Sequence, residues 1–271
     1  MKSLFSRRTL LVSSLLTLAL SLTGLSAHAQ NTTLKVGATA VPHSEILTEI
    51  KPLLEAQGIK LEIIEFADYV LPNRALEDKE LDANFFQHKP YLDTFNQTHG
   101  THLIVAPNGA IHIEPFGAYS KKITNITDLR NGATVALPND PTNGARALLL
   151  LHNNGVIKLK DPTNLLSTPL DLAENPKNIE FLEMTAAQLP HIVSEVDLAL
   201  INTNFALQGG LNPLKDAIII EGENSPYANV IAVREDNANS PAVAKLVEAL
   251  RSEQAKKFII EHYKGAIAPV F

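Results

Sequence analysis

The chain has 271 residues, 45% hydrophobic and 19% charged, a composition that excludes a disordered tail, a collagen-like fibre and a coiled coil. With 23 Lys and Arg against 29 Asp and Glu, the net charge of −6 leaves no basic surface for nucleic acid. Cysteine is absent, which excludes disulfides, thiolate metal sites and cysteine nucleophiles, and predicts that no lipidated cysteine anchors the chain.

Residues 1–29 predict a secretory leader rather than a fold element. Lys2, Arg7 and Arg8 form a positive start, Thr9 to Leu22 is apolar, and Ala27-His28-Ala29 supplies small residues for cleavage. The apolar run is short for a bilayer span of about 20 residues. Ser6-Arg7-Arg8 hints at twin-arginine export, but the surrounding motif is poor and ordinary secretion fits better. The expected product is soluble in the periplasm, free of any lipid anchor.

Beyond the leader, strands and helices alternate. Thr33 to Gly37 and Leu61 to Phe66 read as strands around a helix from Glu45 to Ala56, whose Ile46, Ile50, Leu53 and Leu54 repeat at helical spacing. Ser44 is its expected cap and Gly58 its expected stop. Asp82 to Phe86 reads as a strand and Pro90 to Thr98 as a helix, with a loop expected between them because Pro90 biases Lys89 away from helix. Leu103 to Ala106 is a further strand. Polar residues then interrupt the apolar pattern from Gly117 to Arg130. After them come a strand at Thr134 to Leu137, a helix at Thr142 to Leu151, and strands at Ile179 to Leu182, Asp197 to Ile201 and Ala217 to Ile220. Val230 to Val233 leads into helices at Pro241 to Ser252 and Glu253 to Tyr263. This alternation predicts an α/β fold with parallel pairing. Two lobes fit it: residues 30–116 with 229–271, and residues 117–228.

Several side chains fall where such folds bind ligands. Asn139-Asp140-Pro141-Thr142-Asn143 opens a helix after a strand, and a helix N-terminus attracts anions. Arg146 follows Asn143 by one turn on the same face; together they can clamp a carboxylate, or simply form a capped surface helix. Asn202 stands at the carboxyl end of a strand, as a ligand group or as a helix cap. Asn229 interrupts a strand pattern, as a ligand group or a turn residue. Phe86, His88 and Tyr91, with Tyr69, can form an aromatic box or belong to the core. Glu77/Asp78 and Glu221/Glu223 read as solvated charge. His99, His102 and His112 lack a usual ligand spacing, and no metal or cofactor is expected. No G-x-S-x-G, P-loop or dinucleotide fingerprint is present, so no enzyme activity is expected.

Longer stretches carry a resemblance. Phe66-Ala67-Asp68-Tyr69-Val70-Leu71-Pro72-Asn73, Leu81 through Leu92, Ala118-Tyr119-Ser120-Lys121-Lys122, Pro138 through Asn143, Glu174 through Asn178, Ile201-Asn202-Thr203, Ser225-Pro226-Tyr227 and Arg234-Glu235-Asp236 resemble, in order, the NlpA lipoprotein family, the methionine-binding components of ABC importers. The resemblance implies a two-lobed periplasmic-binding-protein fold of type II, hinged, closing on a free amino acid and docking on a membrane permease as a monomer. It implies that Arg146 pairs with the methionine carboxylate. Asn202 and Asn229 would hold the amino and carboxylate groups with Asn143 in support, while Tyr69, Phe86, His88 and Tyr91 would enclose the thioether. Two alternatives remain open: the same fold binding a Met-containing dipeptide or another apolar amino acid, and a secreted hydrolase or metalloenzyme using His88 or His112.

Overall fold

The structure, a computed structural model, describes residues 32–222 and 225–271; the expected leader and Glu223 lie outside the described residues. Strands β1 (Thr32–Thr39), β2 (Ile59–Phe66), β3 (Ala83–His88) and β4 (Leu103–Ile113) alternate with helices α1 (Glu45–Glu55), α2 (Leu71–Glu77) and α3 (Lys89–His99). Then come β5 (Gly117–Tyr119), β6 (Thr134–Pro138), α4 (Pro141–Asn153), β7 (Lys158–Leu159), β8 (Leu172–Glu174), β9 (Glu180–Met184) and β10 (Leu198–Ile201). The chain finishes with α5 (Thr203–Gln208), α6 (Pro213–Asp216), β11 (Ala217–Ile220), β12 (Ala228–Arg234), α7 (Pro241–Leu250), α8 (Glu253–Tyr263) and β13 (Ala268–Pro269).

These strands form two main sheets. One has the order β13-β4-β12-β3-β1-β2 and the other β11-β5-β10-β6-β9. Both are mixed, which corrects the expectation of parallel pairing throughout. In the first, β1 runs parallel to β2 and β3, whereas β12 is antiparallel to β3 and β4. In the second, β6 runs parallel to β9 and β10, whereas β5 is antiparallel to β10 and β11. β5 lies inside the Gly117–Arg130 stretch that reads as irregular, because three residues are too few to show a period.

Each sheet has its own apolar layer. Ile46, Leu47, Ile50 and Leu54 of α1 pack with Val243, Leu246 and Leu250 of α7 and Ile259 of α8 over Val36 and Ala38, so the C-terminal helices return to the first sheet. Leu148, Leu150 and Leu151 of α4 pack with Val135, Leu137, Leu198 and Leu200 under the second. Burying each such side chain is worth roughly 1.5–3 kcal/mol, which fixes the helices on which the candidate residues stand.

Two local expectations fail for identifiable reasons. Ser44 does not cap α1: it already has helical dihedrals, following a π-helical turn over Ala40–Ser44, and its hydroxyl donates to Glu65 Oε1 at 2.6 Å. No loop separates β3 from α3. His88 stays extended as the cap, and Lys89 begins the helix with Pro90 in its first turn, where a missing N–H costs nothing.

Candidate functional site

The parallel strands of both sheets release the chain toward one cavity. Tyr69 follows β2, His88 ends β3, Asn143 and Arg146 stand in the first turns of α4 after β6, and Asn202 follows β10. Open α/β sheets bind ligands at such carboxyl ends. All eight expected residues, namely Tyr69, Phe86, His88, Tyr91, Asn143, Arg146, Asn202 and Asn229, line this one cavity.

One end of the cavity is polar and tightly wired. Asp140 caps α4, accepting from the Asn143 backbone at 2.9 Å and from Asn143 Nδ2 at 2.9 and 3.0 Å. The Asn143 amide is thereby oriented with its oxygen inward. That oxygen accepts from His88 Nε2 at 3.1 Å and from Asn202 Nδ2 at 2.8 Å. His88 Nδ1 accepts from the Tyr91 backbone N–H, and a backbone N–H can only donate, so Nε2 carries the proton. Burial, reinforced by the Arg146 charge, brings His88 from 6.5 down to about 3; the ring is neutral at physiological pH. Asn202 Oδ1 is buried with no hydrogen-bond partner. A buried, unpaired acceptor costs about 1–3 kcal/mol, which a donating ligand would recover.

Arg146 is almost wholly buried, and it already has a protein carboxylate. Its Nε and Nη2 donate to Glu221 at 2.7 and 2.5 Å, and Nη2 also reaches the Glu114 carbonyl at 2.8 Å. Its guanidinium lies over the Tyr227 ring at 4.3 Å and the Phe116 ring at 5.2 Å. Nη1 makes no hydrogen bond among the described residues. Glu221 is thus an ion-pair partner, not the solvated charge its sequence context suggests.

The other end is aromatic. The Tyr69 ring sits 5.8 Å from Phe86 and 5.7 Å from Tyr91, and 4.9 Å from Phe205 on the second sheet's side. Its hydroxyl donates to Asn204 Oδ1 at 2.6 Å, while Tyr91 Oη donates to the Tyr69 carbonyl at 3.0 Å. Burial pushes the Tyr69 hydroxyl well above its ordinary range, so it remains a neutral donor. Together with His88–Asn143 and Arg146–Glu114, the Tyr69–Asn204 bond joins residues of the first sheet's segments to those of the second.

Behind the polar end lies a cluster whose members are scattered along the sequence. Glu114 lines the cavity. Its Oε1 accepts from His112 Nε2 at 2.8 Å and lies 3.2 Å from His43 Nε2, and its Oε2 accepts from the Asn204 backbone N–H at 3.0 Å. Burial is the largest influence on the Glu114 carboxyl and pushes it upward, but His43, His112 and Arg146 together hold it below the usual range. Burial brings His43 from 6.5 down to about 4, so the ring is neutral; its Nε2 hydrogen-bonds Asn229 Oδ1 at 3.1 Å. The three side chains have possible metal-ligand atoms within 4.8 Å of one another, but His112 Nε2 is hydrogen-bonded to Glu114 and His43 Nε2 to Asn229. A hydrogen-bonded support fits this donor set better than a coordination shell. His43, Glu114, Asn204 and Glu221 were not legible as site residues: 71 positions separate His43 from Glu114, and no spacing rule links them.

A cavity between two α/β sheets, with an arginine and asparagines at one end and rings at the other, defines a two-lobed substrate-binding protein of the periplasmic-binding-protein fold. The chain matches the model of the NlpA lipoprotein family over residues 34–271, and it belongs to that family. It is 46% identical over 210 residues to the D-methionine-binding lipoprotein MetQ of Escherichia coli K12, covering 77% of each chain. It is 42% identical over 236 residues to outer membrane lipoprotein 2 of Mannheimia haemolytica, covering 86% of this chain and 84% of the other. A solved nutrient binding protein from Burkholderia cenocepacia bound to methionine superposes with a TM-score of 0.85 at 48% identity, covering 88% of this chain and all of the other.

The relatives overturn one expectation. A freely diffusing periplasmic product without a lipidated cysteine does not agree with a family and relatives named as lipoproteins, which a lipid holds at a membrane. The sequence shows no cysteine, but the step from that absence to free diffusion does not stand. No helix among the described residues is long and apolar enough to cross a membrane.

Proposed function

We propose that this chain is the substrate-binding protein of an ABC importer, taking methionine between two lobes and presenting it to a membrane permease. The lobes are residues 30–116 with 229–271, and residues 117–228, hinged at the segments that join the two sheets. The observation that carries this reading is the division of one cavity: charged and amide groups at one end, and Tyr69, Phe86 and Tyr91 at the other. A zwitterion with an apolar, unbranched side chain has the same division. The ligand's acid end meets Arg146 Nη1 and Asn229, and its ammonium meets Asn202 and the negative charge of Glu114. The thioether lies among the rings, where sulfur–aromatic contacts favour it by about 0.3–1.5 kcal/mol.

A receptor rather than an enzyme is favoured by the state of the histidines. His88 has both nitrogens bonded within the protein, and His112 is fully buried against Glu114. Neither is free to move a substrate proton. Thermal-shift titration with the L- and D-amino acids and with Met-containing dipeptides tests the reading. A large upward shift with methionine alone supports it. A shift with dipeptides only transfers the fold to another ligand, and no shift with any of them defeats the proposal.

A further inference from the structure

A primary amide in a binding site can present either its oxygen or its NH₂ group, and the two choices attract opposite ends of a zwitterion. Which way Asn202 and Asn229 face is set by the groups they bond to, through a chain of donors and acceptors.

Glu114 begins the chain. Its Oε2 accepts from the Asn204 backbone N–H, and its Oε1 faces the Nε2 atoms of both His112 and His43. A carboxylate oxygen only accepts, so His112 Nε2 carries its proton in the bond it makes there. A bare His43 Nε2 would set its lone pair 3.2 Å from the same charged oxygen, whereas an N–H at that position is attracted to it. Neutral His43 is therefore protonated at Nε2 and bare at Nδ1, and Nδ1 accepts from Thr39 Oγ1 at 2.7 Å. The same Nε2–H reaches Asn229 Oδ1 at 3.1 Å. Asn229 thus spends its oxygen on His43, and its NH₂ group, which makes no hydrogen bond among the described residues, is left for the cavity that Asn229 lines.

Asn202 is wired in the opposite sense. Its Nδ2 is spent on Asn143 Oδ1, and its oxygen is the group left unpaired. Asn143 is itself held by Asp140 on one side and by His88 on the other.

We infer that His43, which does not line the cavity, is a positioning residue: with Glu114 behind it, it turns Asn229 into a hydrogen-bond donor that selects the acid end of the ligand, while Asn202 is left as the acceptor for the ammonium. This deepens the amino-acid-binding reading and rests on it. It assigns the two asparagines to opposite ends of the zwitterion, a choice that leaves open neither symmetry nor exchange between them.

The test compares methionine with methioninamide, in which a neutral carboxamide replaces the carboxylate, by calorimetry on the full-length protein and on His43→Phe and His43→Gln. The unaltered protein prefers methionine. In His43→Phe the Asn229 amide is free to turn its oxygen inward and accept from the carboxamide, so methionine binding weakens by about tenfold while methioninamide binding holds, and the preference between them narrows. His43→Gln retains a donor and recovers much of the preference. Equal weakening toward both ligands, or an unchanged preference, would overturn the positioning role. A second measurement does not depend on any variant folding or on any ligand: nitrogen NMR of the histidine-labelled protein at neutral pH should show His43 and His112 protonated at Nε2. A His43 proton on Nδ1 would overturn the inference. If the unaltered protein binds no methionine, the binding reading fails, and the tautomer still decides how His43 is wired.

Discussion

The two ends of the cavity are built by different physics. The aromatic end is a packing problem: Tyr69, Phe86 and Tyr91 come from a single stretch of 23 residues, and their rings touch one another and Phe205 at centroid distances of 4.9 to 6.1 Å. The polar end is a wiring problem. Arg146, Asn143, Asn202, Asn229, Glu114, Glu221 and His43 come from six separate segments of the chain, and their geometry depends on which atom donates to which. Packing tolerates change gradually, since a neighbouring ring can shift. Wiring does not, because a buried group that loses its partner keeps its full desolvation cost. The polar end should therefore decide whether anything binds, and the aromatic end which side chain is accepted.

The largest expected effect comes from cutting the wiring at Arg146, the one cation lining the cavity among the described residues. Arg146→Ala leaves Glu221 beside the cavity without its bidentate partner and removes the stacking over Tyr227. Methionine binding should weaken by more than about a hundredfold, and the fold should lose about 3 kcal/mol, read by calorimetry and by urea unfolding. A change below tenfold in affinity would place the acid end elsewhere.

Acid probes the same end without mutation. Burial holds His43 near 4 and His88 near 3, against an ordinary value of 6.5. As pH falls below 6.5, the unfolded chain takes up protons at these positions that the folded chain refuses, so stability declines through the window down to about 4 and 3 respectively. Glu114, held below its ordinary range, adds to the loss at the acid end of that window, while Asp140, pushed upward by burial, opposes it. The urea midpoint should fall steadily by a few kcal/mol equivalent between neutral pH and pH 4; a flat profile would mean that the rings are not buried as neutral bases.

At the aromatic end the effects should be smaller and of a different kind. Tyr69→Ala removes the ring that packs against Phe86, Tyr91 and Phe205. Methionine should weaken about tenfold, with bulkier apolar amino acids gaining on it in a competition titration. Tyr69→Phe, which loses only the bond to Asn204, should cost about three- to tenfold with selectivity retained. Equal losses for every ligand in Tyr69→Ala would assign the ring to the support of the fold instead.

The smallest effect serves as a reference. Lys89 and Asp93 form an exposed pair at 2.5 Å on α3, and Lys89→Ala should change stability by no more than about 0.5 kcal/mol and leave binding alone.

The same contrast explains what could be read from the sequence. The aromatic end was legible because a strand, a proline and a helix start follow one another within one segment, and local rules govern all three. Arg146 and Asn143 were legible as helix-face neighbours, and Asn202 as the residue ending an apolar strand. What each of them bonds to was not. Glu221 reads as solvated because its partner lies 75 residues upstream, and His43 carries no local signal because Glu114 and Asn229 reach it only after β4 and β12 have paired. The Ser44 cap and the Lys89 loop failed in the opposite way: the local rule was sound, but Glu65 claimed the serine, and His88 supplied a cap that let strand and helix meet directly.

The central claim is that one methionine occupies this cavity with its side chain among the rings and its acid end at Arg146 and Asn229. Crystals of the unlabelled protein grown with free selenomethionine would test it through the anomalous signal of the ligand's selenium. A single strong peak enclosed by Tyr69, Phe86 and Tyr91 is the predicted result. A peak at the polar end, a peak outside the cavity, or none at saturating ligand would contradict the account.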